Sequence, residues 1–151
     1  MSPAALLAFA TMGFVALVVF GAGMLSLATD RDVIATPGMN PVPGPLAFGV
    51  AALAFAATLW PVLRAERPRY TSLFAVVLIT ALAQLAGLWI LALAFGTDIA
   101  TATAAVGGVA TSWTLAAVAG SAAVAAWAAV AVRRTAARPP HWPWEDREDG
   151  D

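Results

Sequence analysis

The side chains that could do chemistry in this chain are few, and where they stand excludes most of that chemistry. Four apolar stretches run along the 151 residues, and between their ends there is no Asp, Glu, Lys, Arg or His. Proton relays, ion-coupled carriers and voltage sensors need ionisable groups at membrane depth, where such groups are expensive and usually functional. None is available, and no intramembrane histidine could hold a haem. Cysteine is absent, which removes thiol nucleophiles, Cys-ligated zinc, iron–sulfur clusters and disulfides. No cofactor, metal or catalytic site is therefore expected. The most polar side chain inside a span is Gln84. Thr80, Ala83, Gln84 and Gly87 share one face of a helix, a small and polar stripe among Leu, Ile, Val and Phe. That stripe suits either a solute contact or an interhelical hydrogen bond from the amide, with Ala83 and Gly87 admitting a neighbouring helix. The hydrogen bond, worth about 0.6 kcal/mol in a bilayer, is the favoured reading.

The last apolar stretch is alanine-rich and has Gly120 and Ser121 at its centre. Ala116 with Gly120, and Ser121 with Ala125, have the small-xxx-small spacing that lets helix backbones approach where lipid offers no hydrophobic gain. An alanine-rich helix matches this spacing by chance, and the same holds for Ala22 with Ser26. Alanine also contributes little to transfer into lipid, so this helix needs neighbours.

The charges outside the spans are segregated. Arg64, Arg67 and Arg69 form one basic cluster, Arg133, Arg134 and Arg138 another, and the residues from Glu145 to Asp151 hold five acids. The net charge of -1 is thus a cancellation. The arginines are read as topology signals resting on anionic headgroups. A phosphate or nucleotide site is disfavoured, because neither a Walker A motif nor GxGxxG is present, and no nucleic acid partner is expected. Near the spans, an enzyme could draw only on Asp30, Asp32, Glu66, Asp98 and His141.

The elements that must carry these residues follow from composition. Hydrophobic residues make up 61% and charged ones 11%, whereas a soluble domain has roughly a quarter of its residues charged. Mean hydropathy is +0.82. The first stretch lacks a basic n-region and is too long for a signal-peptide core, so it is read as a retained span. Spans are expected at about 3–28, 45–63, 71–95 and 112–132, each able to approach the roughly 20 residues that cross a bilayer. Ser2-Pro3 suits a helix start. Pro61 is expected to fray or kink the second span beside Trp60. Gly107-Gly108 is expected to divide the stretch from Ile99 to Val132, with a short interfacial helix over Ile99 to Val106. Residues 1–138 form the membrane domain, and 139–151 a cytoplasmic tail expected to be disordered.

Six arginines flank the second loop and the C-terminal end, against Arg31 alone on the other side. By the positive-inside rule both termini are cytoplasmic. Trp60, Tyr70 and Trp127 then fall toward the inner interface and Trp89 and Trp113 toward the outer one, as amphipathic rings do at headgroup depth.

In the tail, Trp142 and Trp144 are set by prolines ahead of an acidic end. They could dock a cytoplasmic partner, although tryptophans lying back on the membrane are the favoured reading. The closing Arg-Pro-Pro-His-Trp-Pro-Trp-Glu at residues 138–145, with the four short alanine-rich spans, the proline-punctuated first loop and the Arg-rich second loop, resembles small uncharacterised four-span membrane proteins of high-GC actinobacteria. The resemblance implies a plasma-membrane location and no particular activity.

The expectation is an all-α, integral membrane four-helix bundle with both termini cytoplasmic. Its role is expected to be that of a non-catalytic accessory, assembly or scaffolding subunit that forms a homo-oligomer or packs on a membrane-protein partner. The alternative is a channel or carrier for a neutral solute, lined by Thr80, Gln84, Thr111, Thr114 and Ser121.

Overall fold

The computed structural model describes residues 2–29, 41–65 and 70–136. They form five helices and no strand: α1 (Pro3–Thr29), α2 (Pro43–Arg64), α3 (Thr71–Ala94), α4 (Ile99–Ala110) and α5 (Trp113–Ala136). Four of these, over Pro3–Ala28, Pro43–Arg64, Thr71–Ala94 and Trp113–Thr135, are long and apolar enough to cross a membrane. At 1.5 Å per residue they run from about 33 to about 40 Å, and α4 about 18 Å.

The ends of the helices follow local chemistry. The Ser2 hydroxyl accepts the Ala5 N–H at 3.2 Å, a side-chain cap ahead of Pro3 as the sequence predicts. α2 starts at Pro43, two residues earlier than expected. Pro43 and Pro45 carry no N–H, so this end has fewer donors to satisfy. α3 ends in a Schellman motif: Gly96 takes φ +83°, its N–H donates to Leu93 at 3.0 Å, and the Thr97 N–H donates to Ala92 at 3.0 Å.

Two expectations are corrected. Helix α2 runs on through Pro61 to Arg64, so it does not fray at Trp60. A proline so close to the end removes one backbone bond, and the Ala65 N–H still closes the turn on the Pro61 carbonyl at 3.1 Å. Nor does Gly107-Gly108 divide the chain, since α4 runs through both glycines to Ala110. The break falls at Thr111-Ser112, where side chains satisfy the backbone. The Thr111 hydroxyl donates to Gly107 at 3.0 Å, the Ser112 hydroxyl donates to Val109 at 2.8 Å, and the Ser112 oxygen accepts the Thr114 N–H at 3.2 Å. The glycines weaken the helix by about 1 kcal/mol each, but the hydroxyls offer the backbone an alternative partner.

The long helices pack in the cyclic order α1, α2, α3, α5, with α4 against α3 and α5. The main core joins Leu6, Phe14 and Val18 of α1, Ala51, Phe55, Leu59 and Leu63 of α2, Val76 of α3, and Val118, Ala122 and Ala126 of α5. At its centre the Phe14 and Phe55 rings stack, with centroids 4.7 Å apart and planes 12° from parallel. A second cluster, Ala47, Leu88 and Val109, ties α4 to the α2–α3 pair. Phe9, Phe20, Leu53, Phe74 and Trp113 stand exposed on the outside. In water such a surface is an aggregation liability, and hydrocarbon is the solvent it matches.

Candidate helix-packing site

Thr80, Gln84 and Gly87 are buried on one face of α3, and Ala83 beside them is half-buried. Gly87 has the expected role. A Cβ built there would lie 3.1 Å from both Cβ and Cγ1 of Val50, so any side chain at this position would force Val50 of α2 to give way by a few tenths of an ångström. Leu88, next to Gly87, is itself fully buried, so the stripe points into the protein and not at lipid.

The amide of Gln84 departs from expectation. The residue is 0% exposed, and neither Nε2 nor Oε1 has a hydrogen-bond partner. The interhelical bond expected from it is not made, and the surrounding helices explain why. The Thr80 hydroxyl donates back to its own helix, to Val76 at 2.7 Å, and the α2 residues buried toward the core, Ala47, Ala51 and Phe55, offer no polar side chain.

On α5 the two central small residues part company. Ser121 is buried at 8% exposure. Gly120 is exposed, and a Cβ built on it meets nothing within 4 Å. Ser121 therefore packs within the chain, while Gly120 and the exposed Ala116 one turn earlier face outward. Of the residues proposed to line a solute path, Thr80, Gln84, Thr114 and Ser121 are buried, all on α3 and α5, and Thr111 is exposed in the α4–α5 turn.

The basic clusters are partly described. The Arg64 guanidinium lies 4.3 Å from the Trp60 ring centroid, and that of Arg134 lies 4.8 Å from the Tyr70 ring. The second contact joins the end of α5 to the start of α3 and brings both clusters to one end of the molecule. Arginine over an aromatic ring gains quadrupole attraction while its charge stays at the rim. Arg133 is half-buried beside them. Arg67, Arg69, Arg138, Trp142 and Trp144 lie outside the described residues, as do Asp30, Asp32, Glu66 and His141.

The remaining interfacial acid, Asp98, serves structure. It caps α4, where its Oδ1 accepts the Thr101 N–H at 3.0 Å. The Thr101 hydroxyl, then its backbone N–H, hold the carboxyl below its ordinary value. This cap was legible, since Asp three residues before Thr at a helix start is a common N-terminal arrangement. Because the folded value is depressed, its stabilisation is complete above the unfolded pKa of about 3.9 and is lost as pH falls through the folded one. The protection of the Thr101 and Ala102 amides from exchange, relative to their intrinsic rates at each pH, is therefore expected to fall below that range, and no such fall is expected in Asp98→Asn. Unlike Asp98, the Trp89 contact has no sequence signal: its indole N–H donates to Thr103 at 3.3 Å, which pins α4 to α3.

Among the described residues no group of three or more His, Cys, Asp or Glu could hold a metal ion. A family model described as a family of unknown function, DUF6121, matches residues 3–151. The chain belongs to DUF6121. The match covers the helices and the tail together, so the segment that carries the tryptophans and acids is part of the DUF6121 domain. No curated protein and no solved structure matches the chain.

Proposed function

We propose that this DUF6121 chain is a non-catalytic accessory, assembly or scaffolding subunit of the bacterial plasma membrane, with both termini cytoplasmic, working through helix packing. The observation that carries this reading is the outward face of α5. Gly120 has open space over it, and Ala116 lies one turn earlier on the same exposed side. Close backbone approach is what such a face permits, and in a bilayer van der Waals packing of this kind drives association. The hydroxyls of Thr80 and Thr111 are spent on their own helices, which leaves a solute path short of donors and favours scaffolding over transport. The orientation rests on the gathering of Arg64, Arg133 and Arg134 at one end, together with the arginine count of the loops.

The chain has no cysteine, so a single introduced thiol reports contacts cleanly. In native membranes Gly120→Cys is expected to give an oxidation-dependent homodimer, or a heavier adduct if the partner bears a thiol. Phe74→Cys, on an exposed face of α3, is expected to give much less. Equal yields at the two positions, with a monomer in mild detergent, would falsify the reading.

A further inference from the structure

Among the described residues, the side chain buried with polar atoms that have no partner is Gln84. We infer that it is a binding site for one small neutral molecule that both donates and accepts hydrogen bonds, of the water or primary-amide class. The amide offers two N–H donors and a carbonyl acceptor, none of them paired within the chain. At 0% exposure the side chain is out of reach of a second protein chain, so the partner must be small and internal. A charged ligand would find no counter-charge, because α3 carries no ionisable residue, and an apolar one would leave the amide as it is. Buried polar groups without protein partners are characteristically satisfied by bound water or a ligand.

The neighbours indicate where the molecule sits. Toward α2 the packing is closed, as the 3.1 Å approach at Gly87 shows. Helix α5, which also packs on α3, meets the core with small side chains, Ser121, Ala122, Ala125 and Ala126, so a bound molecule has the least bulk to displace on that side. The Thr80 oxygen, having donated its proton to Val76, keeps lone pairs for accepting. This site is independent of any scaffolding role, since it lies inside one chain.

Gln84 is the only glutamine in the chain, so its side chain can be observed alone. The full chain is prepared in lipid nanodiscs with glutamine labelled by ¹⁵N at the side-chain amide, and Gln84→Met identifies the signal by its loss. The single NH₂ pair is expected to show a cross-peak to water, or a saturable shift on titration with acetamide. The first outcome assigns bound water and the second an amide-class solute, and either supports the site. Cross-peaks to protein hydroxyl protons alone, with no water contact and no response to acetamide, would overturn it.

Discussion

Phe55→Ala is expected to be the most damaging single truncation in the helical core, lowering stability by about 3 kcal/mol, the scale of Phe to Ala losses in packed interiors. The ring is fully buried and stacks on Phe14 at 4.7 Å, where α1 meets α2. In lipid the transfer term largely cancels, because the unfolded reference is also apolar. What remains is the cavity and the lost dispersion contacts. Phe14→Ala removes the other half of the stack. The double variant should therefore lose less than the sum of the singles, by about 0.5–1.5 kcal/mol of ring–ring coupling. Denaturant titration in a mixed detergent measures all three. A loss below about 1 kcal/mol for Phe55→Ala would mean that α1 is not held at this point.

The second large effect is expected at Gly87. With a Cβ already confined to 3.1 Å from two atoms of Val50, Gly87→Leu must push α2 and α3 apart. Overpacking of this kind costs about 1–3 kcal/mol, and the better helix propensity of leucine offsets less than about 1 kcal/mol of it. Val50→Ala removes both Cγ atoms and should restore part of the loss in the double variant, which a general helix defect would not allow. Thermal inactivation in detergent of the two singles and the double tests this. If Val50→Ala makes Gly87→Leu worse, the contact is not the cause.

The fold was legible to the extent that lipid reads sequence. Length, apolarity and the absence of charge between span ends are local properties, and they placed all four long helices within a few residues. Where two helix-compatible choices competed, composition misled. Gly107-Gly108 looked like a break, yet helix continuity there is supported by packing of Ala105 and Val109, which no local pattern reveals. The real break depends on the geometry of the Thr111 and Ser112 hydroxyls, and these residue types are equally at home inside an apolar helix. The candidate site was half legible. Its stripe at helical spacing put Thr80, Gln84 and Gly87 on one buried face, but periodicity says nothing of what lies opposite. Whether the Gln84 amide found a partner depended on which faces of α2 and α5 turned toward it. Gly120 and Ser121 are neighbours in sequence, but being about 100° apart on a helix they part at the edge of the buried face, the first exposed and the second buried.

The short helix α4 also gives the molecule unequal ends. It packs on α3 and α5, by Leu88 and Trp89 of α3, on the side away from Arg64 and Arg134, so the end of the molecule remote from the arginines carries an element that the other end lacks. The two ends would therefore ask different amounts of room from whatever surrounds them, and that inequality is built into the chain by twelve residues.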